Sequence, residues 1–284
     1  MGETIESVVA PFKETYALLQ KGYREIGIEF AKVYAISFAL WIPVVLVMGA
    51  LMLVSAFFAD SYLKGIISII AIVLMVLVMF IVVVLGTALS GVFYSIVHEK
   101  LAGKRISIIG KTKELAAPMA RYVVVMALLY GVPLLALLGL VLLAGGSMAG
   151  GILMLIGIVA ILPLMLLFSF IFQFSILEIT LNRKGAVESL KRSLALVKKN
   201  LLVTFGFDVA VIMVVFGISA AFSVVTNIVS FFAVGAVFFL PLMILLIIAA
   251  VLLIFAQSVV TMMVMAPAQY YFWKSIGGMG AKRV

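Results

Sequence analysis

Asp208 stands eight residues beyond Asn200 in a run, LLVTFGFDVAVIMVVF, that is otherwise almost free of polar side chains. Such a run reads as a membrane-spanning helix, and at 1.5 Å per residue the carboxylate lies about 12 Å into it, near the middle of a hydrocarbon core about 30 Å thick. A carboxylate at that depth costs about 2.5 kcal/mol or more, so it must face the bundle interior or find a partner. Two chemistries fit. Asp208 serves as a proton or cation site, or as an anchor for a polar headgroup entering between helices. Otherwise it makes an interhelical hydrogen bond with Gln173, Gln257, Ser90 or Thr87, worth under about 1 kcal/mol net. Gln173 and Gln257 each donate and accept, which suits helix bonding or the lining of a polar cavity. Glu178 lies five residues before Arg183, where pairing with Arg183 or Arg192 would stabilise it near a membrane boundary. Asp208, Gln173, Gln257, Glu178 and Ser90 are therefore the candidate intramembrane polar site.

Other chemistry is thinly provided. The chain has no cysteine and a single histidine, His98, which removes thiol catalysis, disulfides and imidazole metal clusters, so neither cofactor nor metal is expected. There is no phosphate-binding glycine loop, dinucleotide fingerprint or HExxH, and no paired acids stand with a histidine. The glycine-rich GGSMAGG reads as a flexible hairpin. These absences point away from an enzyme.

The elements that hold the polar residues follow from composition. Of 284 residues 67% are hydrophobic and 11% charged, far more apolar surface than a soluble fold can hide. Six apolar segments are expected as spans: about Val33–Phe58, Ile66–Val97, Tyr122–Ala144, Gly151–Leu181, Leu201–Val225 and Phe231–Met265. Short links fall around Ala59–Lys64, Gly145–Gly150 and Thr226–Ser230. The longer links around His98–Arg121 and Asn182–Asn200 are basic. Of the 20 Lys and Arg residues, 19 lie in the N-terminal segment, these two links and the C-terminal tail, and only Lys64 lies opposite. By the positive-inside rule both termini are cytoplasmic. The net charge of +9 is thus a membrane orientation signal and does not call for nucleic acid. The first thirty residues lack the form of a cleaved signal peptide and are expected to be retained.

The chain also repeats. Lys32, Arg121 and Lys199 recur where amphipathic entries meet spans, and Ser90, Gln173 and Gln257 recur at matching positions of the second spans. Two-span repeats keep their orientation, so the units, about 1–100, 101–183 and 184–284, would be parallel hairpins about an axis along the membrane normal. Gly86, Thr87, Ser90 and Gly91 on the second span, and Gly206 with Ala210 on the fifth, permit close helix approach. Tyr270, Tyr271, Phe272, Trp273 and Lys274 are expected to form an interfacial aromatic belt, and His98 to be solvated. Pro163 and Pro241 are expected to kink their helices.

The third entry, Gly185–Asn200, carries an apolar stripe of Val187, Leu190, Leu194 and Val197, with Lys191, Lys198 and Lys199 away from it and Arg192 near its edge. Such a helix lies in the membrane interface, and Lys191, Arg192, Lys198 and Lys199, with Arg183 and Lys184, are expected to contact anionic headgroups. Asn200 is placed to satisfy backbone groups at the bend into the next span. The positions Ala186, Leu190, Ser193, Leu196 and Asn200 resemble the recurring signature of the glycerophosphoryl diester phosphodiesterase membrane-domain family, with Leu194 where that family usually carries Trp. The resemblance implies a membrane-embedded part without a hydrolytic domain, and thus fold and location but no activity.

The expected fold is an all-α integral membrane protein: one polytopic domain over 1–284, six transmembrane helices as three parallel hairpin repeats, each led by a cytoplasmic amphipathic helix. The expected setting is a prokaryotic plasma membrane. The expected role is a non-enzymatic accessory or scaffold module associated with membrane lipids and with a protein partner unidentified. The alternative is a transporter, lipid-handling protein or channel with a polar path near Asp208.

Overall fold

A computed structural model describes residues 2–57, 64–104, 106–143, 159, 163–235 and 240–277. Among them the chain is all-helical, with six helices long and apolar enough to cross a membrane. The elements are α1 (Gly2–Ala39), α2 (Trp41–Phe57), α3 (Lys64–Leu101), α4 (Ile108–Leu143), α5 (163–172), α6 (Ser175–Asn182), α7 (Ala186–Lys199), α8 (Leu201–Gly235) and α9 (Leu240–Ser275). The links expected at Ala59–Lys64 and Gly145–Gly150 lie outside the described residues, except Lys64, which opens α3. The start of the fourth span and the tail beyond residue 277 lie outside them as well.

Local sequence explains where the helices break. Leu40 separates α1 from α2, three residues ahead of Pro43, whose ring and missing N–H disfavour the helical position of residue 39. Arg183 ends α6 in the left-handed region (φ 53°, ψ 34°), with its own N–H and that of Lys184 both donating to the Glu178 carbonyl. Asn200 is the single-residue joint between α7 and α8, and its carbonyl accepts the Thr204 N–H. The three entry segments differ. The first lies within α1, which kinks at Gly22, and the second runs unbroken into the span as α4. Only the third, α7, is a helix by itself. The link expected at Thr226–Ser230 is also not a link, because α8 continues to Gly235. Thr226 donates its hydroxyl to the Phe222 carbonyl one turn back, so this polar residue does not interrupt the helix.

The chain divides into two compact units. Unit 1 comprises Met1–Ile42, Phe93–Ile106 and Asn200–Val284. Here α1 packs along α9 and α8. Ile26, Phe30 and Val33 of α1 are buried, as are Phe93, Ile96 and Val97 at the end of α3. Phe30 meets Phe93 edge-on at 4.8 Å, and Phe207 of α8 stacks on Phe272 of α9 at 4.0 Å. The aromatic end of α9 is therefore core and does not form the expected belt: Tyr270, Tyr271, Phe272 and Trp273 are all buried. Four consecutive residues point all round a helix, so together they can be buried only where protein surrounds it. His98 is likewise half-buried, its Nδ1 3.0 Å from the Tyr270 hydroxyl, and not the solvated residue expected. Pro241 is the second described residue of α9. Pro163 begins the described part of α5.

Unit 2 comprises Pro43–Val92 and Ser107–Lys199. Here α4 packs on α7 and α6, and α6 packs on α7. Leu115, Met119 and Tyr122 of α4, Leu177 and Ile179 of α6, and Leu190, Leu196 and Val197 of α7 form its buried core with Ala88, Leu89 and Val92 of α3. Gly91 is the close-approach point. A Cβ there would stand 2.6 Å from Thr180 Oγ1 and 3.0 Å from Leu115 Cδ1, whereas Gly86, one turn earlier, faces open space.

Candidate functional site

In unit 2 the polar groups gather at the α5–α6–α7 junction. Between α5 and α6 the helix ladder is interrupted at Gln173 and Phe174, which leaves backbone groups without helical partners. Ser193 of α7, fully buried, bridges the interruption: its Oγ donates to the Ile171 carbonyl at 2.7 Å and accepts the Phe174 N–H at 3.2 Å. Glu178 follows on α6 and is also fully buried. It accepts from Asn182 Nδ2 at 2.8 Å, and Arg192 Nε lies 3.9 Å from its other oxygen. Gln173 is half-buried in the joint itself. These arrangements join helices; they present no pair of acids and no nucleophile with a base.

The exposed side of α7 is built differently from the stripe expected. The packed face is Ser189, Leu190, Ser193, Leu196 and Val197, which includes three of the five signature positions. Leu190 and Val197 of the stripe are buried, whereas Val187 and Leu194 are exposed. At 100° per residue, Val187, Leu194, Lys191 and Lys198 share one exposed sector. Serines occupy the packed face because Ser189 donates to the Ala186 carbonyl and Ser193 bonds the α5–α6 joint. Of the six residues expected at headgroups, Arg192 pairs with Glu178, Arg183 with Glu114 at 3.3 Å, and Lys184 with Glu188 at 2.5 Å. Lys191, Lys198 and Lys199 are exposed and have no ion pair among the described residues. The free cations and the exposed apolar residues thus lie on one helix.

Ser90 is half-buried on α3 and returns its hydroxyl to the Gly86 carbonyl at 3.0 Å, as Thr87 does to Val83 at 2.7 Å. Neither makes the interhelical bond considered for it through these contacts. In unit 1, Asp208 is half-buried on α8, beside two close contacts with α1: Gly206 lies against Val8, and Phe207 meets Phe12 at 5.6 Å. Gln257 of α9 donates to Ser219 Oγ of α8 at 3.2 Å. Ser219 is eleven residues past Asp208, about 16 Å along the helix, so Asp208 and Gln257 do not converge. Gln257 instead lines a cavity of about 390 Å³ whose wall mixes Tyr34, Ser219, Ser258, Thr261 and Gln269 with the apolar Val215, Met262 and Met265. Sequence reasoning singled out only Gln257 among these. The signal available was the spacing Gln257, Ser258, Thr261, one polar face in an apolar helix.

A second cavity of unit 1, about 380 Å³, is lined by Glu25, Glu29, Lys100 and Lys104 and by Ile26 and Ile96. Lys100 pairs there with Glu25, and Glu29 with Lys32 at 2.7 Å, so its charges are largely matched internally. Among the described residues no three acids or histidines are grouped to hold a metal ion.

No curated protein and no solved structure matches the chain. A family described as a domain of unknown function, DUF7847, matches residues 83–274, which takes in α4 to α9 with the second half of α3. Since that match covers well over half of the chain, the protein belongs to the DUF7847 family.

Proposed function

We propose that the chain is a non-enzymatic polytopic membrane protein, an accessory or scaffold module held to anionic lipid. The observation that carries this reading is the build of α7. One face is fixed to unit 2 through Leu190, Ser193, Leu196 and Val197, while Lys191 and Lys198 are left outside beside Val187 and Leu194, with Lys199 also exposed. Basic residues over an exposed apolar edge suit a helix at the membrane interface, at about 1 kcal/mol per cation near an anionic surface. The topology proposed with it has both termini and both basic links in the cytoplasm of a prokaryotic cell and three parallel hairpins in one membrane domain. The likeness to the glycerophosphoryl diester phosphodiesterase membrane domain is in keeping with it, since Leu190, Ser193 and Leu196 of that signature are the packed face of α7.

The test is lipid retention in nanodiscs of mixed phosphatidylglycerol and phosphatidylcholine, for the wild type and for Lys191→Gln/Lys198→Gln/Lys199→Gln. Enrichment of phosphatidylglycerol around the wild type should fall by at least about tenfold in the triple variant. Equal enrichment in both would overturn the role given to α7. A second reading, lipid handling, is favoured by one observation, that Gln257 lines a cavity of unit 1 with both polar and apolar walls. It moves the proposed polar path from Asp208 to the α8–α9 contact at Ser219 and Gln257.

A further inference from the structure

Two cavities adjoin on α9 within unit 1. The more polar one, about 390 Å³, and an apolar groove of about 510 Å³ share Tyr34 and Ser258 in their walls. The groove is otherwise lined chiefly by Phe38, Trp41, Leu252, Ile254 and Phe255. The Tyr34 ring is fixed at the partition by Phe93 at 5.3 Å and Phe255 at 6.3 Å. Each volume falls in the range of about 300–1,000 Å³ typical of small-molecule sites.

An apolar groove on a membrane protein by itself takes any acyl chain. The cavity beside it, with several polar side chains in its wall, is more selective. Gln257 spends one amide hydrogen on Ser219 Oγ, and Gln269 Oε1 accepts from Tyr94 at 2.5 Å. That leaves the Gln257 carbonyl and second N–H and the Gln269 amide nitrogen; the Tyr34 and Thr261 hydroxyls have no hydrogen-bond partner among the described residues. Among the described residues no charged side chain lines either cavity. A phosphate or ammonium drawn in would be desolvated without an opposite charge, which disfavours it strongly. We infer that unit 1 binds a neutral membrane amphiphile, its uncharged, oxygen-bearing head among Tyr34, Gln257 and Thr261 and its apolar tail along Phe38, Trp41 and Phe255.

The proposal deepens the lipid-handling reading and is independent of α7. Its test uses the full chain in phosphatidylglycerol nanodiscs doped in turn with a diacylglycerol, a polyprenol and an isoprenoid quinone. Native mass spectrometry reads occupancy, and the mass of the retained probe tells the three sources apart. Thr261→Val removes one hydroxyl of matched shape that makes no protein hydrogen bond, so folding is preserved, and occupancy should fall about tenfold. Gln257→Leu should abolish it. The proposal is overturned if no neutral probe is retained above the phosphatidylglycerol background, or if Thr261→Val retains as much as wild type. Anionic-lipid enrichment measured in mixed discs with the α7 lysine variant reports separately on the accessory reading, so either can fail alone.

Discussion

Ser193→Ala tests whether one hydroxyl holds the α5–α6 joint to α7. The wild-type Oγ satisfies two backbone groups that the interrupted ladder leaves open, the Ile171 carbonyl at 2.7 Å and the Phe174 N–H at 3.2 Å. Ser193 and Phe174 are both fully buried, so water cannot replace it without rearrangement. An unsatisfied buried group costs about 1–3 kcal/mol, and the two together should destabilise unit 2 by about 2–4 kcal/mol. Ser189→Ala is the control. That hydroxyl, equally buried on the same face, makes one local bond to the Ala186 carbonyl, and its loss should cost only about 0.5–1.5 kcal/mol. The assay is equilibrium unfolding by SDS in mixed micelles for both variants, with hydrogen exchange of the Phe174 amide as the local readout. Ser193→Ala should lose the larger share of stability and expose that amide. If the two variants lose the same stability within about 0.5 kcal/mol and Phe174 stays as protected as in wild type, the reasoning fails.

Gly91→Ala should lose about 1–3 kcal/mol because its Cβ would stand 2.6 Å from Thr180 Oγ1, whereas Gly86→Ala, with open space around it, should gain up to about 1 kcal/mol from helix propensity; thermal unfolding of the pair checks the contrast. Arg192→Met should destabilise more than Glu178→Gln in the same SDS titration. The arginine side chain is 44% exposed and can turn to water, but the carboxylate is fully buried and loses a cationic partner when the arginine goes. Phe272→Ala should cost about 3–5 kcal/mol, the loss of a buried ring stacked on Phe207, where a residue of an interfacial belt would cost under about 1 kcal/mol. Reporter fusions at the two ends, with one inserted between Gly145 and Gly150, should place both termini on the cytoplasmic side and the insertion outside; a terminus reporting outside refutes the proposed orientation.

Helical class and span number were legible because hydropathy alone decides them: a run of twenty apolar residues has few other folds open to it. Side-chain roles were less legible, for reasons that differ by residue. Thr226 and Ser230 suggest a link in sequence, but the chain stays helical through both, and the Thr226 hydroxyl bonds back to its own helix and needs no water. The α7 stripe was drawn from hydropathy, which ranks serine outside. Ser189 and Ser193 lie inside because backbone carbonyls accept from them, Ala186 of the same helix for Ser189 and, by tertiary placement, Ile171 for Ser193. Glu178 had two equally plausible arginine partners in sequence. The choice fell to Arg192 once Arg183 adopted the left-handed conformation and directed its own side chain to Glu114. Asp208 drew attention as the deepest charge. The cavity formed instead at Gln257, where neutral residues of three segments, α1, α8 and α9, meet.

The contacts of the entry segments bear on the proposed repeat more directly than hydropathy does. Within unit 1 the first entry, in α1, packs on α8 and α9, the last hairpin; its Gly27 lies against Met263. Within unit 2 the second entry packs on α3 of the first hairpin through Leu115 and Met119, and the third entry, α7, packs on α4 and α6 of the second. Each entry thus meets helices of the hairpin before it, the first entry meeting the last hairpin, so the two packing units cut across the proposed repeats. The registers also agree. Leu115 lies six residues before Arg121 and Ser193 six before Lys199; Gly91 follows Ser90 and Phe174 follows Gln173. Leu115 approaches Gly91, and Ser193 bonds the Phe174 amide. Equivalent positions therefore make equivalent contacts, one by shape and one by hydrogen bond. Agreement of this kind at the second and third entries is what the proposed threefold repeat would produce.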